Sequence, residues 1–279
     1  MRFGLIGAGK VGFSLGKYFK IHGLDVVGYY SRSPQSAAEA AAFTETNKYD
    51  TMKQLVEVSD VLFLTVPDGA ISSVWEELRS FDISSKIICH CSGALTSSIF
   101  SDIDECGAFG YSIHPFLAVS SKYDSYEALS SALFTVEGAL EKEETVLAFL
   151  KQCGNKVQVI SPDQKTLYHA AASVASNFMV TLADVSEELL KVCGFSDENL
   201  HEALTPLIEG NIASVIKKGP IKALTGPVER ADAETVKAHI NALPKEEIAL
   251  YKALAKRTRK LAGKKHPERD FHKLEEILE

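Results

Sequence analysis

A glycine pattern at the start of the chain constrains everything that follows it. Arg2–Ile6 is a short apolar run that reads as a strand, and it passes directly into Gly7-Ala8-Gly9-Lys10-Val11-Gly12. Lys10–His22 then has helical spacing, with Val11, Leu15, Tyr18 and Phe19 on one side. Glycines at this spacing between a strand and a helix have separate tasks. Gly7 allows a tight turn, Gly9 lets a ligand approach the backbone, and Gly12 lets helix and strand pack closely. The free N–H groups at the helix start face whatever anion sits there. The loop therefore reads as the diphosphate cradle of a dinucleotide-binding Rossmann fold, with residues 7–12 all contributing.

The segments up to residue 160 keep the same rhythm. Strands are expected at Asp25–Tyr30, Val61–Val66, Lys86–Cys91, Ala108–Ile113, Leu133–Val136 and Lys156–Ile160. Helices are expected from Ser33-Pro34 to Phe43, over Thr51–Val58 and over Ile71–Leu78, with Ser33 and Asp68 as caps. Strands as continuously apolar as Val61–Val66 suit a parallel sheet buried on both faces, so residues 1–160 are expected to form an α/β doubly wound Rossmann domain. Residues 161–279 show helical patterns only: one from Ser161-Pro162-Asp163 to Val192, then Asp197–Lys217, Asp232–Asn241 and Pro244–Ala262. They are expected to form an all-α domain ending in a charged, solvated helix or tail.

The end of the second strand bears on the cofactor. Enzymes that use NAD usually carry Asp or Glu there to hold the ribose 2′-hydroxyl. Here the residues are Tyr30-Ser31-Arg32-Ser33. A guanidinium between two hydroxyls suits a 2′-phosphate, so the sequence favours NADP over NAD, with Ser31, Arg32 and Ser33 as its contacts. Two later strand ends should border the same ligand: Val66-Pro67-Asp68, equally readable as a turn and helix cap, and Ser92-Gly93, which offers a hydroxyl and an approachable backbone near the nicotinamide. His90, between Cys89 and Cys91, also reads as a packed core residue.

Charge and cysteine usage exclude other classes. Against 30 Lys and Arg stand 37 Asp and Glu, a net charge of −7, which leaves the whole protein no electrostatic footprint for nucleic acid. No apolar run approaches the roughly 18 residues of a membrane span. The N-terminus has no signal-peptide pattern, so the expected compartment is the cytoplasm. The 5 cysteines contain no C-x-x-C pair, which suggests neither a disulfide framework nor a metal site.

A candidate substrate site lies after the Rossmann segment. Lys165, His169, Ser173 and Asn177 recur every fourth residue. A step of four residues turns about 400°, so the set winds along one side of a helix. The neighbours Ala170, Ala171, Ala172 and Ala175 are small, which suits either a ligand or helix–helix contact. His114 ends a strand and can donate a proton or satisfy a loop. Arg230, in Thr225–Asp232, can hold an anionic substrate or pair with a carboxylate; Asp232 reads as a helix N-cap. Small-residue helices point to a homodimer through the helical domain.

Together these motifs resemble a family of Rossmann-like proteins with a C-terminal DUF2520 domain. The matching pieces are Gly7–Gly12, Val66-Pro67-Asp68, His90–Ala94, Ser112–Pro115, Tyr168 through Asn177, and Ala223–Asp232 with Thr235 and His239. Ala231 departs from the family's glycine, which would strain a turn that needs positive φ. The family looks like distant kin of β-hydroxyacid dehydrogenases, ketopantoate reductases and pyrroline-5-carboxylate reductases. The resemblance implies an NADPH-dependent reductase of a small oxo acid, ketopantoate first. Those relatives carry a catalytic Lys four residues before an Asn. Asn177 matches the Asn, but Ser173 stands at the lysine position, so the usual acid is absent.

The expected mechanism places His169 as first proton donor, since an imidazole can donate and titrate near neutrality, and His114 as second. Asn177 and Ser173 would orient the carbonyl, and Lys165 or Arg230 would hold the carboxylate. Two alternatives stay open: a non-catalytic NADP-binding sensor, favoured by the missing lysine, and an imine reductase of the pyrroline-carboxylate type.

Overall fold

Apolar strands of this kind need cover on both faces, and the first part of the chain supplies it. The computed structural model describes residues 1–279. Eight strands form one sheet: β1 (Arg2–Ile6), β2 (Asp25–Tyr30), β3 (Asn47–Lys48), β4 (Val61–Leu64), β5 (Ile87–His90), β6 (Phe109–Pro115), β7 (Leu133–Gly138) and β8 (Lys156–Val159). Their order is β3-β2-β1-β4-β5-β6-β7-β8, so the direction of winding reverses between β1 and β4. All neighbours are parallel except β6 and β7. The sheet is thus doubly wound and parallel with one antiparallel pair.

Eight helices follow in this part and just beyond it: α1 (Lys10–Ile21), α2 (Pro34–Thr44), α3 (Met52–Val58), α4 (Asp68–Leu78), α5 (Ser125–Ala128), α6 (Glu143–Gln152), α7 (Lys165–Ala175) and α8 (Asn177–Val192). Two aromatic-rich cores sit on the two faces of the sheet. One contains Phe3, Phe19, Phe63, Tyr111 and Phe149, the other Leu62, Ile71, Trp75, Ile88 and Phe100. Local chemistry ends the helices where expected: Ser33 Oγ accepts from the Ser36 N–H, and Thr51 with Gln54 forms a capping box. Asp68 is a correction. The N-cap of α4 is Pro67, and the Asp68 side chain is turned to another task described below.

The helical pattern expected to run unbroken to Val192 is interrupted at Ser176, whose hydroxyl donates to the Ala172 carbonyl and draws the backbone out of register. The compact units meet at Val180/Thr181, twenty residues beyond the expected domain boundary, so α7 belongs with the sheet.

The unit Thr181–Glu279 adds α9 (Asp197–Ala223), α10 (Ala233–Ala242), α11 (Lys245–Lys265) and α12 (His272–Leu278). Gly219, at φ 75°, breaks α9 near its expected end. Asp232 caps α10 through the Thr235 N–H, as its position suggested. The charged C-terminus is no solvated tail: Phe271, Leu274 and Leu278 pack with Val228, Val236, Ala255 and Ala262 into a small core. No helix of the chain is long and apolar enough to cross a membrane.

Candidate active site

The glycine loop has the geometry its spacing demanded. Gly7 has φ 111°, and a Cβ there would meet the Thr65 carbonyl at 2.8 Å. At Gly12 a Cβ would lie 2.5 Å from the Gly7 oxygen and 2.6 Å from Thr65 Oγ1, while at Gly9 it would meet nothing within 4 Å. Gly9 is the N-cap of α1 and no side chain caps the first turn. Its leading N–H groups are therefore left for a ligand, and the helix dipole favours a negative one. Thr65, just past β4, donates to the Gly7 carbonyl at 2.9 Å and pins the loop.

The cleft above this loop has a volume of about 460 Å³ and sits where the winding reverses, at the carboxyl ends of β1, β2 and β4. Gly7, Ala8, Gly9, Ser31, Arg32, Val66 and Pro67 line it, together with Tyr30, Ser36, Thr65 and Glu77, which the sequence did not single out. Arg32 is exposed and has no carboxylate partner. Ser33, expected both as a cap and as a cofactor contact, caps α2 and lies outside the cleft lining, while Ser36 one turn on faces the cleft. Lys10 and Val11 lie outside the cleft lining, Lys10 exposed and Val11 half-buried in the first turn of α1. The residues present fit a dinucleotide: an open backbone cradle for the diphosphate and an unpaired guanidinium at the ribose end.

A second hollow, of about 630 Å³, contains His114, His169, Ser173 and Asn177 in its walls, with Leu117, Ser120 and Ala172. Three of the four residues at fourfold spacing, His169 and Ser173 on α7 and Asn177 at the start of α8, thus share a cavity wall, and Lys165 does not. His169 Nδ1 is buried and has no hydrogen-bond partner. It crowds Gly93, where a Cβ would lie 2.6 Å from that nitrogen and 3.0 Å from His114 Nε2. Two imidazoles thus converge on a residue that must be glycine. His114 Nδ1 is held by the Tyr168 hydroxyl at 2.7 Å. Burial first, and the positive charge of Lys165 second, push His114 down to about 4. It is therefore neutral at ordinary pH.

Lys165 departs from its expected role. It is fully buried, and its Nζ donates to Ser112 Oγ at 2.6 Å. Burial lowers its pKa to about 8, against the pull of Glu137, Cys91 and Asp68. An ammonium sealed in this way cannot grip a substrate carboxylate. Sheet register explains what surrounds it: His90 lies opposite Ser112, and Ser112 opposite Glu137, all buried. Glu137 accepts from the Ser97 N–H at 2.7 Å and Ser97 Oγ at 2.6 Å.

Ser92 is also a correction. Its hydroxyl donates to Asp68 at 2.7 Å and accepts from the N–H groups of Ala94 and Leu95 at 3.1 and 3.0 Å. All its hydrogen-bonding capacity is used in shaping the turn, so it offers nothing to a ligand. Asp68 serves as the anchor of that turn, and Gly93 remains as the approachable position. His90 donates from Nε2 to the Thr96 carbonyl and accepts the Ser92 N–H at Nδ1, which makes it a satisfied core residue. Arg230 lies in the second unit and is exposed there. Ser112, Tyr168 and Glu137 were not candidates from sequence; the first two lay inside the recognised motifs, and nothing marked Glu137.

The fold and the two clefts define an α/β protein of the Rossmann type with a helical C-terminal unit. Two family models together cover most of the chain: a Rossmann-like domain matches residues 1–115, and DUF2520, a domain of unknown function, matches residues 132–258. No curated protein matches the sequence. Among solved structures, protein TM1727 from Thermotoga maritima is 26% identical with a TM-score of 0.73, covering 94% of this chain and 98% of its own. Protein BF3122 from Bacteroides fragilis, provisionally described as an NADP oxidoreductase, is 22% identical with a TM-score of 0.71, over 93% and 98%. A reductive aminase from Aspergillus terreus in complex with NADPH and ethyl-5-oxohexanoate is 16% identical with a TM-score of 0.66, over 93% of each chain. The last two likenesses speak for the fold.

Proposed function

We propose that this protein is an NADPH-dependent reductase of a small carbonyl compound, with a 2-oxo acid such as 2-dehydropantoate (ketopantoate) as the substrate its family implies. The observation that carries this reading is the unpartnered, buried Nδ1 of His169, set against Gly93 beside His114 in a hollow at the strand ends. When bound, the dinucleotide supplies the hydride. The chain's own task is to receive the negative charge that then develops on the substrate oxygen. His169 gives that oxygen a proton. His114, kept neutral and fixed by Tyr168, donates a hydrogen bond from its uncharged ring. Ser173 and Asn177 orient the carbonyl from the same wall. The preference for NADPH rests on Arg32, unpaired in the cleft with Ser31 and Ser36, and on the absence of a carboxylate at the end of β2.

One observation favours a second reading. The walls of the hollow hold no Lys or Arg, so an uncharged substrate, such as a cyclic imine, needs no missing counter-ion. Neighbours in fold include imine reductases and reductive aminases. Purified protein given NADPH and a panel of 2-oxo acids and cyclic imines decides the matter, with nicotinamide absorbance as readout. Oxidation with an oxo acid supports the first reading and oxidation with imines alone the second. Tight NADPH binding without any oxidation would point to a cofactor sensor.

We further propose that the chain works in the cytoplasm as a homodimer. Its five cysteines are all free. Phe178, Val180, Val192 and Ile216 are 56–80% exposed, which leaves α8 and α9 with apolar faces that a second copy would cover. Sedimentation of the purified chain tests the dimer.

A further inference from the structure

The chain is acidic overall, yet its C-terminal end reverses sign. Between Lys252 and Lys273 stand nine Lys and Arg and only two carboxylates, Glu268 and Asp270. The end of α11 and the turn after it fold this stretch around a hollow of about 360 Å³. Its walls carry Arg259, Lys260, Lys264, His266 and Arg269, and no acidic side chain. Gly263 leaves the floor open between them.

Ordinary structural roles account for only part of this charge. Lysines in the last turn of a helix complement its dipole, and Lys265, at the end of α11, also donates to the Leu224 carbonyl at the C-cap of α9 at 2.7 Å. The buried carboxylate of Glu229 takes Lys265 and Arg269, each at 3.5 Å, and His266 at hydrogen-bond contact. Glu275 takes Arg259 at 2.5 Å. Lys260 and Lys264, one turn apart on α11, have no partner at all. The Nε of Arg259 is buried and donates to nothing. Glu268 lies 3.8 Å from His266, so three carboxylates stand against five fixed cations and a histidine, which leaves a surplus of positive charge and donors.

We propose that this hollow is a second anion site, separate from the dinucleotide cleft, that binds a small, multiply charged phosphoanion. Guanidinium forks and paired ammonium groups are the donor set that phosphoryl oxygens require. The size of the hollow suits a free diphosphate or phosphate ester. A nucleic-acid strand would call for exposed aromatic rings along a basic track, and the one ring here, Phe271, is buried beneath Arg259. Such a ligand would tie α11 to the turn that precedes α12 and so stiffen the small core of Phe271, Leu274 and Leu278.

The test uses the full-length ¹⁵N-labelled chain titrated with inorganic pyrophosphate. The expected result is saturable movement of the Gly263, Lys264 and His266 amide signals, weakened by added salt. In the double variant K260Q/K264Q, both sites being exposed, the affinity read at those signals falls about ten-fold or more, which corresponds to about 1.4 kcal/mol, while the thermal midpoint is unchanged. Movement confined to the Gly7–Val11 loop overturns the proposal, since pyrophosphate would then be reporting the dinucleotide cradle alone. So does an unchanged affinity in K260Q/K264Q. Response of the same signals to anionic vesicles or an oligonucleotide, but not to pyrophosphate, overturns it in favour of a macromolecular partner.

Discussion

Lys165 Nζ lies 2.6 Å from Ser112 Oγ, and neither side chain reaches solvent. The pair ties α7 to the centre of the sheet and buries a positive charge between His90 and His114, opposing protonation of both. Its own pKa falls from 10.5 unfolded to about 8 folded. Between these values the unfolded chain binds more protons, so stability rises with pH through that window. Urea denaturation from pH 8 to 10.5 should show a rise of at most about 1.4 kcal/mol per pH unit. Lys165→Met should abolish it and move the His114 titration upward.

The acid side follows from the histidines. His90 and His114 drop to about 4, in both cases chiefly by burial. A group whose folded pKa is depressed in this way destabilises the fold once the unfolded chain takes up its proton. Stability is therefore lost as pH falls from about 6.5 toward 4, by about 1 kcal/mol per pH unit for each histidine. His114→Gln should remove about half of the histidine contribution, measured by denaturant midpoints at pH 6.5, 5.5 and 4.5.

Gly93 makes room for the two imidazoles of the hollow. Adding a methyl there puts a carbon 2.6 Å from His169 Nδ1, so the ring must move. Misplacement on the scale of an ångström costs about 10²-fold in rate. Gly93→Ala should lower kcat by roughly that factor, and His169→Ala by about 10²–10⁴-fold. His169→Ala should leave NADPH binding, followed by fluorescence titration, nearly intact. Normal turnover in His169→Ala would remove it from the mechanism.

Arg32 should discriminate between cofactors. Charge-assisted hydrogen bonds contribute about 1.5–3 kcal/mol each, so Arg32→Ala should weaken NADPH binding by about ten-fold to a hundred-fold. NADH affinity should change little. Equal losses for both cofactors would show that Arg32 does not read the 2′-phosphate.

Ala231 adopts φ 59°, the left-handed region that suited glycine at this turn. A side chain there costs about 1–2 kcal/mol, partly offset because glycine loosens the unfolded chain. Ala231→Gly should stabilise the protein by up to about 1 kcal/mol, seen as a higher thermal midpoint.

The sequence by itself determined the cofactor half. A strand, three glycines and a helix start are neighbours along the chain, so Gly7, Gly9 and Gly12 encode their geometry locally, whereas the strain at Ala231 was signalled only by the glycine that the resembling family carries there. Helical spacing also turned His169 and Ser173, one turn apart on α7, to one side, where they line the hollow with Asn177 from the start of α8. Only the tertiary structure decided which polar groups are free. Lys165 and Ser92 read as ligand contacts until β6 brought Ser112 to Lys165 and the start of α4 brought Asp68 to Ser92. Tyr168 and Glu137 gained meaning only from residues far away in sequence, His114 and Ser97. Hydrogen-bond saturation depends on what packs against a group from elsewhere in the chain. Local pattern cannot carry that information, which is why the glycine loop was legible and the internal partners of Lys165 and Ser92 were not.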